Sequence, residues 1–308
     1  AGDVVKLYLT PSNREDFFTF TRMLIGQLRQ VGKTHTAERY VTVMNSFGRF
    51  RRENELLWEE VDSDLMVEYE TYLKSRGVCP NTSSYYMRGL RAIYNRAVEK
   101  GMTVQREPFK YVYTGIDKTI KRAVPLKVIR QIRDLDLTLF PTMDFARDIF
   151  MFSFYTRGMS FIDMAYLKKK DLQGGTLSYR RQKTGQQLFV KWEKPMQEIV
   201  DKYNTNGTPY LLPIIRDMNA DIRRQYKNAA HLVNDKLKKL GEKLGLTVPL
   251  TSYVARHGWA SIARSRNIPL AIISEAMGHD SEKTTRIYLA SLDTTSVDKA
   301  NSRILKAL

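Results

Sequence analysis

Ala255-Arg256-His257, Gly278-His279 and Thr284-Thr285-Arg286-Ile287-Tyr288 all lie in the last third of a 308-residue chain, and they decide how the rest is read. Arg256 and His279 are 23 residues apart, and Tyr288 follows His279 by 9. The combination suits chemistry at a phosphodiester. A guanidinium neutralises phosphate oxygens through a planar fork of donors, an imidazole donates hydrogen bonds or protons, and a tyrosine hydroxyl can attack phosphorus. A free phenol has a pKa of about 10, so cationic neighbours must both lower it and screen the anion it approaches.

The charge outside these stretches points the same way. The chain carries a net +17 with a pI near 9.8, which implies an anionic partner such as nucleic acid. Residues 1–102 hold 15 Lys/Arg against 13 Asp/Glu, whereas 103–308 hold 35 against 20, so nearly all the excess sits in the later part. Polybasic clusters of the membrane-anchoring kind are absent, the only run of three being Lys168-Lys169-Lys170. No run approaches the ~18 apolar residues of a membrane helix. Ala1-Gly2-Asp3 has neither a basic region nor an apolar run, so no signal peptide is expected; it also lacks an initiator Met, which suggests sequence upstream. The single cysteine, Cys79, fits a reducing cytoplasm and is expected to pack in a core.

Apolar spacing gives a mainly α chain with one small antiparallel β-hairpin. Ser12 and Glu15 stand at capping-box spacing, and Phe17, Phe20, Leu24, Leu28 and Val31 then recur at helical intervals up to Gly32. A second helix starts near Thr34 with Tyr40, Val43, Phe47 and Phe50 inside. Asp62 caps a third, with Leu65, Tyr69 and Tyr72 or Leu73 inside. Asn81 caps a fourth, carrying Leu90, Ile93, Tyr94 and Ala97 to Gly101. Residues 1–102 thus predict a helical bundle, and 103–122, with Pro108 and Gly115, an interdomain linker. In 123–289 helices are expected at 125–135, 143–156, 195–203, 217–244, 255–266, 269–277 and 281–289. Between them 176–192 reads as two strands about a turn at Thr184-Gly185. The tail, 290–308, places Val297, Ala300, Ile304 and Leu308 on one helical face, suited to folding back on its own core.

In these motifs the chain resembles the tyrosine recombinases of the phage integrase family, in particular the integrases of bacterial conjugative and mobilizable elements. The resemblance implies a helical SAM-like core-binding domain followed by a DNA breaking-rejoining catalytic domain, clamped around duplex DNA. Tyr288 occupies the nucleophile's place, after a Gly-His pair, a short turn and a helix. Arg256 corresponds to a phosphate-gripping arginine, His279 to a donor to a non-bridging oxygen, and Lys183 in Lys183-Thr184-Gly185 to the acid that protonates the leaving 5′ oxygen. His257, next to Arg256, matches the Arg-His pair of mobile-element integrases; its bland alternative is helix packing.

Two positions depart from the family. The histidine usual three residues before the arginine is Tyr253, which can donate a hydrogen bond but carries no charge at neutral pH. The pattern T-G-x-R-x-S-[DE]-L reads here as Thr156-Arg157-Gly158-Met159-Ser160-Phe161-Ile162-Asp163, which puts Ser160 where the first arginine belongs. If helix continues through Arg157, its guanidinium lies about one turn away and is long enough to replace the missing one. Arg147 is the reserve, Ser160 then only hydrogen-bonds, and Asp163 buttresses the arginines and His257.

The resemblance further implies a 3′-phosphotyrosine intermediate with no cofactor, no metal and no ATP. Its implied partner is double-stranded DNA, bound as a homotetramer although the free chain can be a monomer, with accessory DNA-bending proteins. An N-terminal arm-binding domain and a tail packed on a neighbouring protomer also occur in the family. Three alternatives stay open. One is a type IB topoisomerase-like strand relaxer and another a DNA-binding relative that has lost activity. The third is a two-metal nuclease using Asp163, Asp171 and Glu193.

Overall fold

Asp16 caps the first helix, its carboxylate accepting from the Thr19 amide at 2.8 Å. The computed structural model describes residues 16–52, 54–117, 123–279, 281–289, 302, 304 and 305; the side chains of Lys283, Ile287 and Tyr288 are outside that description, as is the Ser12–Glu15 box. The chain divides into two units, residues 1–119 and 120–308.

The first unit is built from α1 (Phe17–Gln30), α2 (Thr34–Arg51), a 3₁₀ turn (Trp58–Glu60), α3 (Ser63–Ser75) and α4 (Pro80–Glu99). Its core is aromatic. Phe17, Phe20, Phe47, Trp58, Tyr69 and Tyr94 are all buried, with Phe17, Phe47 and Trp58 in contact. Each such side chain contributes about 1.5–3 kcal/mol by leaving water. Tyr69 hydrogen-bonds Ser46 at 2.7 Å, which satisfies its hydroxyl inside the core.

Several expectations are corrected here. Val31, placed on the inner face of α1 by its spacing, is 68% exposed because the helix ends at Gln30. Cys79 is exposed, not packed in a core; it takes the N-cap position of α4 with Pro80 in the first turn. Asn81 therefore does not cap, and instead exchanges two hydrogen bonds with the Asp117 backbone. Residues 104–117, expected as linker, close the first core. Phe109 and Val112 are buried in it, Tyr94 donates to Val104 O at 2.7 Å, and the Tyr113 amide donates to buried Glu70 at 2.8 Å. The two apolar residues were too few for a periodic signal, although burying them is worthwhile. Residues 118–122 lie outside the described ones.

The second unit contains α5 (Leu126–Arg133), α6 (Pro141–Tyr155), α7 (Phe161–Tyr166), β1 (Leu172–Gln173), β2 (Thr176–Arg180) and β3 (Gln187–Lys191). There follow α8 (Lys194–Asp201), α9 (Ile222–Lys243), α10 (Ser252–Ser265), α11 (Leu270–Ala276) and α12 (Glu282–Leu289). Helix α6 is the hub, burying Ala146, Ile149, Phe150 and Phe152 against α9 and α10. The sheet is antiparallel in the order β1-β2-β3, with Leu177 opposite Val190 and Tyr179 opposite Leu188 on its buried face. Among the described residues no helix is long and apolar enough to cross a membrane.

Arg147 is unavailable as a reserve guanidinium. It pairs with Asp144 and Asp148 and donates to the carbonyls of Arg133 and Leu135, in a network shared with Lys202 and Tyr203. Of the tail, Val297, Ala300 and Leu308 lie outside the described residues, while Ile304 and Leu305 are exposed on the chain by itself.

Candidate active site

Two helix ends build the site, and both end in the same way. Helix α11 stops at Met277. Gly278 then takes a left-handed φ of 61°, its amide bonds Glu275 O at 2.9 Å, and the His279 amide bonds Ser274 O at 3.0 Å. That is a Schellman cap, with Gly278 where a side chain is disfavoured and His279 thrown out at the helix end. Helix α6 stops at Tyr155 with Thr156 as cap. The Arg157 amide bonds Phe154 O at 3.2 Å and the Gly158 amide bonds Ser153 O at 2.7 Å, with φ of 63° and 77°. Here an arginine sits in the position that normally takes glycine.

Arg256, on the first turns of α10, spans the two ends. It is buried, and its Nη1 donates to Gly158 O at 2.7 Å while Nη2 donates to Met277 O at 2.7 Å and lies 3.1 Å from His279 Nε2. Arginine can only donate, so Nε2 accepts there, and Nδ1–H of His279 donates to Thr285 Oγ at 2.7 Å. Gly158 permits the close approach: a Cβ added to it would meet Arg256 Cα at 2.7 Å.

Ser160 caps α7, and its hydroxyl donates to Asp163 at 2.6 Å. Asp163 is buried and also accepts the Gln182 amide at 2.8 Å. Beside it, and not foreseen from the motifs, lies Arg181. Its Nη1 donates to Gly278 O, the carbonyl after the one held by Arg256, and its Nε is 3.9 Å from Asp163. A signal for it was present. Leu177, Tyr179 and Arg181 alternate along β2 and its continuation, so a period-2 reading puts the arginine on the buried face. Burial pushes the Tyr179 phenol well above its ordinary value and Asp163 adds to the rise. Arg256, Arg181 and Arg157 oppose it, which brings three guanidiniums within electrostatic reach of one ring.

The other predicted residues are placed as follows. His257 is buried with its ring edge-on to that of Tyr253 at 4.7 Å; Tyr253 itself is 52% exposed. Lys183 is exposed in the turn between β2 and β3, which Arg181 and Gly185 close with a 2.8 Å bond. Arg157 is not carried one helical turn toward Ser160, because α6 does not continue through it; its Nη1 donates to Phe189 O on β3 at 3.1 Å. Tyr288 is on α12, three residues after Thr285. Thr285 and Leu289 are fully buried and seat that helix, Leu289 against Ala260, Ile273 and Met277 of α10 and α11.

The phage integrase SAM-like domain matches residues 16–115, and the phage integrase family matches residues 141–295, which is half of the chain. The chain belongs to the phage integrase family. It is thus a tyrosine-type site-specific DNA recombinase. The recombinase is 23% identical to the tyrosine recombinase XerA of Pyrococcus horikoshii over 263 residues, 75% of this chain and 90% of that protein. It superposes on a lambda integrase dimer bound to a COC′ core site with a TM-score of 0.67 at 14% identity, covering 90% of this chain and 77% of that one. With XerH bound to a palindromic difH substrate after cleavage the TM-score is 0.66 at 15% identity, covering 90% and 84%. At these identities the structural likeness is one of fold.

Proposed function

We propose that this recombinase integrates and excises the DNA of a mobile element, with Tyr288 as nucleophile and Arg256, His257, His279 and Lys183 serving the scissile phosphate. One observation carries the assignment: the Arg256 guanidinium, buried and pinned at Gly158 O, Met277 O and His279, at the approach to the helix that bears Tyr288. The Tyr288 oxygen attacks phosphorus as its hydroxyl proton passes to water, to be taken back on rejoining, and forms the 3′-phosphotyrosine bond. The bond to the 5′ oxygen breaks, and Lys183 gives that oxygen a proton. Arg256 holds the non-bridging oxygens as their charge grows, and His279 joins it as the protonated imidazole, its Nε2–H turned from Arg256 to phosphate while Nδ1–H stays on Thr285. In rejoining, the 5′-hydroxyl of another strand attacks phosphorus, its proton returns to Lys183, and the Tyr288 oxygen departs. One phosphodiester is exchanged for another, so no external energy source enters. Tyr253 supplies a hydroxyl where the family has histidine, and Asp163 and Ser160 act by positioning.

The excess positive charge of residues 103–308 supports duplex DNA as substrate, and strand exchange between two sites requires four protomers. The test is covalent trapping on nicked duplexes carrying candidate element ends, in EDTA, beside Tyr288→Phe. A denaturation-resistant protein–DNA band that the variant loses is the expected result. Tight, salt-sensitive binding without such a band on any duplex would overturn the reading in favour of a DNA-binding relative.

A further inference from the structure

The geometry points to Arg181 as the second guanidinium on the scissile phosphate, filling the role that Ser160 cannot; the inference rests on the recombinase reading above. Arg181 and Arg256 donate to consecutive carbonyls, Gly278 and Met277, so their guanidiniums converge on one side of the His279 cap. Both are buried, at 7% and 4% exposure. The close approach of Arg181 is built in. A Cβ on Gly278 would meet Arg181 Cδ at 2.7 Å and Leu188 Cδ1 at 2.9 Å, so glycine lets this side chain pass without displacement.

The donors of Arg181 are incompletely used. Its Nε is buried without a hydrogen-bond partner, since Asp163 at 3.9 Å is beyond bonding range and already takes Ser160 and the Gln182 amide. Nη1 is held by Gly278 O, and among the described residues nothing accepts from Nη2. A buried guanidinium with spare donors and one loosely paired carboxylate is unfavourable until an anion arrives, and a phosphodiester oxygen supplies both the charge and the acceptors. Arg157 is the weaker candidate. Its backbone is turned into the left-handed region, and its Nη1 is engaged on the outer strand at Phe189 O.

The test measures single-turnover cleavage of a nicked duplex by the full chain and its Arg181→Ala, Arg181→Lys, Arg157→Ala and Tyr288→Phe variants. Each is assayed on a phosphodiester and on a duplex whose scissile phosphate is a methylphosphonate, which lacks one anionic oxygen. Arginines that stabilise phosphoryl transition states are worth about 10³–10⁵-fold. Arg181→Ala should therefore lose about 10³-fold on phosphodiester but less than about tenfold on the neutral substrate, with Arg181→Lys between. Arg157→Ala should stay within about threefold on both. A structural role alone would lower both substrates equally, so equal losses overturn the proposal, as does a substrate-dependent loss in Arg157→Ala. Failure of both Arg181 variants to fold would also overturn it, marking a packing residue. No Tyr288-dependent product from the unaltered chain would instead overturn the recombinase reading, and this inference with it.

Discussion

Gly158→Ala should cripple the recombinase through two separable effects. With φ at 77°, an alanine there carries the left-handed cost of about 1–2 kcal/mol. Its Cβ would also lie 2.7 Å from Arg256 Cα and 2.8 Å from Cγ, where carbon contacts settle at about 3.5–4.0 Å. The atom in the way is backbone of α10, so the end of α6 and α10 must separate by roughly 1 Å, at an overpacking cost of about 1–3 kcal/mol. The sum, about 2–5 kcal/mol, lowers the Tm by about 4–20 °C for a unit of this size. Function suffers more, because Gly158 O is one of the acceptors that aim Arg256, and a 1 Å misplacement costs about 10²-fold in rate. Gly174→Ala is the matched control: its φ is 54° and nothing lies within 4 Å, so it carries the backbone cost alone. Melting curves and single-turnover cleavage well below both Tm values separate the two effects. A Gly158→Ala chain that melts within about 2 °C of Gly174→Ala and cleaves normally would refute the close contact as the origin of the site's geometry.

Thr285→Val keeps shape but leaves Nδ1–H of His279 without its 2.7 Å acceptor; cleavage should fall at least tenfold with stability lowered by about 1–3 kcal/mol, and an unchanged rate would show that Thr285 does not orient the imidazole. Burial alone would raise the Glu70 carboxyl, but the Lys74 ammonium and the Tyr113 amide outweigh it and hold it below the usual range. A depressed pKa means a stabilising contribution fully present above the unfolded value of about 4.3 and lost as pH falls through the folded one. The stability gap between the unaltered chain and Glu70→Gln, from urea melts, should accordingly close below about pH 4, and a gap that persists there would contradict the assignment. Equilibrium DNA binding should weaken steeply with salt: about 8 neutralised phosphates give a slope of log K on log salt near −7, and a flat curve between about 50 and 200 mM would exclude a phosphate-tracking surface.

How far the sequence could be read depended on whether a feature was periodic. Phe17, Phe20, Leu24 and Leu28 repeat often enough to announce α1, and Leu177 to Val190 announce the hairpin. Phe109 and Val112 do not repeat, so a segment that closes the first core looked like a linker. Within the site, Gly278-His279 was legible because the Schellman cap demands glycine at that place. The end of α6 was only partly so: the expected helix stops at Thr156, but bringing the Arg157 guanidinium one turn toward Ser160 needs helix through a residue whose φ is 63° and which takes the place glycine normally fills. Arg181 carries no motif of its own, and its place on the buried face shows only in the inward alternation of Leu177 and Tyr179 before it.

On the proposal that Arg181 serves the phosphate, the two caps also account for serine at position 160. Carbonyls at a helix C-terminus carry the negative end of the helix dipole, equivalent to roughly half an elementary charge. Gly158 O at the end of α6, and Met277 O and Gly278 O at the end of α11, can therefore seat buried guanidiniums without neutralising them. A carboxylate for each arginine would cancel the positive potential on which the phosphate depends; here one carboxylate, Asp163, lies beside Arg181 and is largely spent on Ser160 and Gln182. The seat is thus defined by backbone rather than by the residue that fills it. The guanidinium arriving from the β2 strand end uses it at Gly278 O, with glycine at 278 leaving room. The same logic sets a limit: Gly278→Ala, whose Cβ would press on Arg181 and Leu188, should reproduce the substrate-selective loss of Arg181→Ala while Arg256 keeps its bond to Met277. Equal losses on charged and neutral phosphate in that variant would show that the backbone seat, not Arg181, is what the reaction requires.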